Sequence, residues 1–487
     1  MSWICRQAGN RFLPLCMMRK TICLKVLYHP ATCVGNQRSL MSKEFYCNSE
    51  WQGRLNDSIL SKVTTEILLT QLFLQFDKSG AATAIDMEVF SNKVQEVHPT
   101  QLHLVENLLK RFRSSQQALS VIDSMSHALI RAYLELDQTD RLIPILQQKI
   151  AYGIFPDQFA FCLILDHLIK SNNFQGASKI AIEIMLQGVE PHPSARLLSL
   201  YSCGRYLAEH SQTLLAPFTE DDKPELPEGE EEYVVVKFVP LHNFDDHFDI
   251  TDEKRLIGRT LAFLSSPSES SPVYRSYNLI GLAMAEDCNK LLDYLREFLR
   301  QPTDNNTFHR EVLDTLSTCL EACKSRSEVI EREPGMELKE DSEYNSRHTL
   351  EDRQRFIDEF EELKPRLSAT PLLDSSLRED TEELVMKGLA TRNETDVKEY
   401  KTQLKNWNIQ RARNIELQER SLRLKERQQA LDEKIAELTD KEALLNYFVR
   451  QNEISLGLMN AGKPKEEKAE EDDFEYIAEP GKRGKKR

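Results

Sequence analysis

Glycine is scarce, at 17 of 487 residues, and aromatic side chains make up only 8%. Together with a 40% hydrophobic and 29% charged composition, this disfavours a Gly-rich β architecture and favours long helices with solvated faces. No apolar run reaches the roughly 20 residues that a membrane span requires. Cysteines number ten, but no CxxC pair occurs, and four of them (Cys5, Cys16, Cys23, Cys33) fall near the N-terminus. Cys319 and Cys323 are four apart, on one helix face. Two thiolates without a nearby His do not complete a tetrahedral zinc site, so buried small hydrophobes are expected there. There is no GxGxxG, Walker-type loop, HExxH or GxSxG, hence no recognisable phosphate cradle, zincin helix or nucleophile elbow. No catalytic residue, metal, cofactor or small-molecule substrate is expected.

Acids are missing altogether from residues 1–43, which carry Arg6, Arg11, Arg19, Lys20, Lys25, Arg38 and Lys43 among apolar and hydroxyl side chains. That composition predicts a mitochondrial transit peptide over 1–43, with Arg38-Ser39-Leu40 the candidate processing neighbourhood. A basic tail for another partner is the alternative. A secretory signal fits poorly, because charges interrupt every apolar run. The chain as a whole has a net charge of −15. A basic surface normally drives phosphate binding through counterion release, so any RNA contact must come from local basic patches.

Residues 58–213 carry repeated amphipathic helical pattern. Gly153-Ile154-Phe155-Pro156 is answered 35 residues later by Gly188-Val189-Glu190-Pro191. Between them, Phe161, Leu163, Ile164 and Leu168 form one apolar face, Asn172-Asn173 turn the chain, and Ala177, Ile180, Ala181, Ile184 and Met185 form another. One period earlier the plan recurs, from Ala128, Leu129, Ala132 and Tyr133 through Asp137 to Leu142, Ile145, Leu146 and Ile150. Periods of this length mark stacked helix–turn–helix units that bury their faces only against neighbours. The expected fold is all-α: a helix–turn–helix solenoid, then a long charged C-terminal helix and a disordered tail.

An acidic loop and extended segment are expected over 214–253, including the strand-like run Tyr233–Val239. His242, His247 and three Asp lie close together there, and a polar surface connection is the simplest account of them. Further helical repeats are expected over 254–324, an acidic linker over 325–347, and C-terminal helices over 348–459. A charged tail follows over 460–487. Leu417, Leu424, Leu431, Leu438 and Leu445 repeat every seven residues, but the companion positions Asn414, Ser421, Gln428 and Glu442 are polar, Ile435 excepted. A strong two-stranded coiled coil wants both seams apolar. One leucine seam suits a helix lying along a partner surface, or pairing weakly.

The 35-residue unit with Gly-x-x-Pro-Asp at its boundary resembles the pentatricopeptide repeat. More specifically, Tyr152-Gly153-Ile154-Phe155-Pro156-Asp157-Gln158-Phe159-Ala160-Phe161, then Leu197-Leu198-Ser199-Leu200-Tyr201, resemble the mitochondrial ribosomal small-subunit protein 27 family. Tyr400-Lys401-Thr402-Gln403-Leu404-Lys405-Asn406-Trp407, leading into a charged helix, is a second match in the right order. The resemblance implies a structural, RNA-contacting component of the mitochondrial small ribosomal subunit, in the matrix. Its partners would be the small-subunit ribosomal RNA and neighbouring ribosomal proteins. Pentatricopeptide proteins read one base per unit through an early first-helix residue and the last residue of the unit. Mapped here, those pairs are His127 with Asp157 and Cys162 with His192, neither a usual code pair. Shape and phosphate contact through Lys110, Arg111 and Arg113 is the expected alternative. A free organellar pentatricopeptide RNA factor, and a helical protein-interaction scaffold, remain the competing functional readings.

Overall fold

The computed structural model describes residues 40–56, 60–188, 190–215, 250, 252–265, 271–300, 307–323, 325–326, 348–449 and 451–461. Most of the transit-peptide expectation, nearly all of the 214–253 loop with its strand-like run and His242–Asp249, most of the 325–347 linker, and the tail from 462 onward lie outside the described residues.

The architecture is all-α. Short 3-10 turns and α1 (Asn48–Gly53) lead into α2 (Thr65–Ser79), α3 (Ala84–Ser91) and α4 (Leu102–Arg113). Next come α5 (Asp123–Glu135), α6 (Thr139–Gln147), the single turn α7 (Lys149–Tyr152), α8 (Gln158–Lys170), α9 (Phe174–Leu186) and α10 (Pro193–Leu214). After the undescribed stretch the chain continues with α11 (Glu253–Leu264), α12 (Pro272–Met284), α13 (Cys288–Arg300) and α14 (Glu311–Glu321). It closes with α15 (Leu350–Ser368), α16 (Leu377–Leu445) and α17 (Gln451–Ala461). Among the described residues, β structure is limited to a two-residue parallel pair, Ser325–Arg326 with His348–Thr349, and one bridge between His309 and Leu373.

The repeat period is visible in the backbone itself. First helices begin at Asp123, Gln158 and Pro193, and second helices at Thr139 and Phe174, each one 35-residue period apart. Asp137 and Asn172, one period apart, both take φ near +55° between the helices of a unit, a conformation that Asp and Asn tolerate better than most side chains. Gly153 and Gly188 sit at φ +70° and +66°, where any Cβ would be strained. Asp157 caps α8 by accepting from the Phe159 amide, and Asn173 caps α9 by accepting from the Gly176 amide. Leu163, Ile164, Leu168, Ala177, Ile180 and Ile184 are all buried between the stacked helices. Further along, α11 and α12 pack almost backbone to backbone. A Cβ on Gly258 would come within 2.4 Å of the Ala285 nitrogen, and one on Gly281 within 2.6 Å of the Ala262 nitrogen.

The chain divides into two compact units, Met1–Ile415 and Glu416–Arg487. All the packing above belongs to the first. In the second, the continuation of α16 and α17 carry Leu417, Leu424, Leu431, Leu438, Leu445, Leu456 and Leu458 exposed. No helix among the described residues is long and apolar enough to cross a membrane. Cys319 and Cys323 are buried and reduced, as the sequence suggested.

Candidate nucleic-acid and partner interface

The face on which a repeat array of this kind presents its first helices is occupied here by the chain itself. Helix α16 meets the array in reverse chain order. Its Asp380 Oδ2 lies 2.9 Å from His309 Nε2, and Thr381 Oγ1 lies 3.2 Å from the Tyr277 hydroxyl on α12. Gly388 comes against Leu197 on α10, and Asp396 accepts from the Ser194 hydroxyl at the start of that helix. Tyr400 and Trp407 reach α5 and α8, and Arg411 pairs with Glu88 on α3 at 3.0 Å. The buried positions of this stretch are Leu377, Thr381, Val385, Leu389, Asp396, Tyr400, Leu404, Trp407 and Arg411. Their spacing of mostly three or four residues puts them on one helix face.

His127 is the centre of the contact. The sequence pairs it with Asp157, and the structure brings the two together, Nδ1 to Oδ1 at 2.7 Å. Its other nitrogen, Nε2, is 2.6 Å from the Tyr400 hydroxyl. That hydroxyl already accepts from Arg131 at 2.9 Å, so its own proton goes to Nε2. The arrangement fits a ring proton on Nδ1, donated to Asp157. Trp51, Tyr400 and Trp407 pack around the imidazole, with centroids 5.5, 5.4 and 4.9 Å away. Phe159 stacks on Tyr400 at 4.8 Å, and the Arg131 guanidinium lies over Trp51 at 4.5 Å, a cation–π contact. Burial pushes the Tyr400 hydroxyl up from its ordinary range, against the opposing pull of Arg131. Both ring nitrogens of His127 are thus committed within the chain, and neither is left for a base.

The second expected pair is arranged differently. Cys162 is fully buried, and its thiol is driven well up by that burial, with Asp396, Asp157 and Asp166 adding to it. His192 caps the start of α10, its Nδ1 accepting from the Ser194 amide at 3.4 Å. Its Nε2 faces Asp396 at 3.7 Å and Glu399 at 3.8 Å. Burial lowers the imidazole pKa, opposed by Asp396. Cys162 and His192 therefore share Asp396 of α16 as a neighbour. Beside them lies a cavity of about 340 Å3, bounded by Asp157, Phe159, Phe161, His192 and Gln403 among others.

The basic patch lies elsewhere, on the last turn of α4, where cations complement the helix dipole. Arg111 is paired with Asp77 at 3.1 Å yet keeps 44% of its side chain exposed. Lys110, also exposed, sits 4.8 Å from the Tyr152 ring centroid. Arg113 donates to the Ile150 carbonyl at 3.2 Å. The patch is therefore tied to α2 and to the residues around α7 while presenting its charge to solvent.

Three functional elements have no counterpart in the sequence reasoning. Glu88, Asn92 and Arg411 form a buried polar cluster, joined by Arg54 and Ser124. Asp166 is fully buried and its carboxylate receives the amides of Leu40 and Met41 at 3.2 and 3.1 Å, the Tyr46 hydroxyl and Lys170. Met41 and Phe45 are buried as well, so residues 40–42, near the end of the expected transit peptide, are packed into the array. Asp396 is the third. The only sequence signal for any of these was the recurrence of Asp396, Tyr400, Trp407 and Arg411 at same-face spacing.

The family described as mitochondrial 28S ribosomal protein S27 matches residues 15–437. That span takes in the repeats, the helix that fills their face and most of the leucine seam. The chain therefore belongs to the mitochondrial 28S ribosomal protein S27 family, and is a mitochondrial protein of the small ribosomal subunit.

Proposed function

We propose that this protein is an architectural component of the mitochondrial small subunit that contacts ribosomal RNA by shape and phosphate rather than by reading bases. In this role it supports translation in the matrix. The observation that carries the proposal is the occupied first-helix face: His127, Asp157 and His192 are turned toward Tyr400, Asp396 and Glu399 of the chain's own helix. Phosphate contact then falls to exposed cations such as Lys110 and Arg111, with Arg113 beside them. Contact with neighbouring ribosomal proteins falls to the exposed seam Leu417, Leu424, Leu431 and Leu438, a row of exposed leucines repeated every seven residues along one helix. Acting as a structural part of the subunit, the protein needs no catalytic site.

The same packing bears on import. Leu40 and Met41 are bonded to Asp166, so processing that preserves the fold cuts ahead of Leu40, within the Arg38-Ser39-Leu40 neighbourhood. N-terminal sequencing of the protein from mitochondria checks this; a mature chain starting beyond Met41 contradicts it.

The test of the function is sedimentation of mitochondrial lysate through a gradient that resolves small subunits. Co-migration with the subunit at moderate salt is expected. Confinement to the light fractions would favour a free RNA factor and sink the proposal.

A further inference from the structure

We infer that His192, Asp396 and Glu399 form a binding site for a divalent transition-metal ion, Zn2+ by the chemistry of the donors, which clips α16 to the start of α10. The His192 side chain is 6% exposed, and its buried Nε2 has no partner within hydrogen-bond distance. A buried polar atom without a partner is uncommon and calls for a cause. The groups in front of it are two carboxylates, Asp396 Oδ1 at 3.7 Å and Glu399 Oε2 at 3.8 Å. These separations are too long for hydrogen bonds. They suit donors sharing one ion, because Zn–N and Zn–O bonds of about 2.0–2.2 Å place donor atoms up to roughly 4 Å apart.

One donor atom from each of the three residues lies within 4.8 Å of the others. Asp396 and Glu399 are three apart on α16 and so share a face. Asp396 is 1% exposed and fixed, whereas the Glu399 side chain is 56% exposed and can close the remaining gap by a rotamer change. An imidazole with two carboxylates is a zinc donor set, whereas Mg2+ and Ca2+ favour oxygen alone. Three protein donors leave a fourth position for water.

Two features compete and are readily displaced. Arg392 Nε stands 3.5 Å from Asp396 Oδ1, but its side chain is 38% exposed and can swing into solvent. Coordination through Nε2 moves the ring proton to Nδ1, which gives up only the 3.4 Å contact from the Ser194 amide, a long one for its type.

The test uses the full chain, stripped with chelator and dialysed against Zn2+, with bound metal measured directly. The chain is expected to bind about one Zn2+ more than Glu399→Gln, whose exposed substitution leaves the fold intact, and to bind it at least about tenfold more tightly. His192→Gln should abolish the same equivalent. Equal zinc in the parent and in Glu399→Gln overturns the site. Co2+ in place of Zn2+ separates this site from the cysteines: visible bands without a thiolate charge-transfer band are expected, and a thiolate band overturns it.

Discussion

Helix α16 carries two one-faced stretches with opposite surroundings. From Leu377 to Arg411 the stripe is buried and chemically mixed, with Leu, Val, Tyr and Trp interleaved with Thr381, Asp396 and Arg411. From Leu417 onward the stripe is almost purely leucine, and it is open: Leu417 is 53% and Leu438 64% exposed. In the first stretch each polar residue has a defined partner, Tyr277 for Thr381, Ser194 for Asp396 and Glu88 for Arg411. A helix slid by one turn would leave those groups buried and unpaired, which costs far more than it would for leucines. The mixed stripe therefore fixes register on one surface. The leucine stripe specifies little beyond an apolar partner, and its helix is supported locally by pairs such as Arg423 with Glu419. The contrast separates a buried intrachain contact from an exposed leucine face.

The contrast can be broken at several strengths. Trp407 is buried against His127, and Trp407→Ala should cost about 3–5 kcal/mol of stability. Chemical denaturation of the purified chain checks this, with the loosening expected around α5 and α16. Arg411 and Glu88 side chains are each 3% exposed. Removing either partner alone, as in Arg411→Ala, should cost about 3–5 kcal/mol by stranding a buried charge, whereas replacing both by apolar residues of similar volume should cost far less. A double-mutant cycle checks the difference; a loss in the double variant equal to the sum of the two single losses would contradict the coupling.

Substitutions in the open stripe should behave in the opposite way. Leu424→Glu with Leu431→Glu should change stability by under about 0.5 kcal/mol, as for other surface positions, yet weaken association with the small subunit. Melting curves and gradient sedimentation of the same variant check the two halves of that statement. The smallest effect is electrostatic. Hydrogen bonds from Lys401 and then Ser49 pull Glu50 from its ordinary 4.5 down to about 2. Because the folded value is depressed, the stabilisation is complete above pH 4.5 and fades as pH falls toward about 2. The half-exposed Glu50–Lys401 pair, at 2.8 Å, is screened by solvent, so the melting temperatures of the parent and Glu50→Gln should differ slightly at about pH 6 and converge as pH falls through about 2.

The repeats were legible because their punctuation is local. Gly153, Gly188, Asp137 and Asn172 occupy positive-φ positions that few side chains adopt, and the helical faces between them show the 3.6 period directly. His127 and Asp157 were legible as a pair only through the resemblance to the pentatricopeptide repeat, which matches them as the early first-helix and unit-end positions. What covers them was not. Tyr400 lies 273 residues from His127, and the buried face of α16 is interrupted by Asp396 and Arg411, which look like solvated positions until their partners are known. The end of the N-terminal segment was hidden differently: the acid-free composition runs on through Lys43, while the Leu40 and Met41 amides are held by Asp166, more than 120 residues away.

The proposed function requires that α16 closes the first-helix face to RNA, so that RNA meets cations outside it. Ultraviolet cross-linking of RNA to the protein in intact mitochondria, with the linked peptides mapped, tests this most directly. RNA adducts are predicted on the Lys110–Arg113 surface, and none on His127, Phe159 or His192. Adducts on those three residues would contradict it.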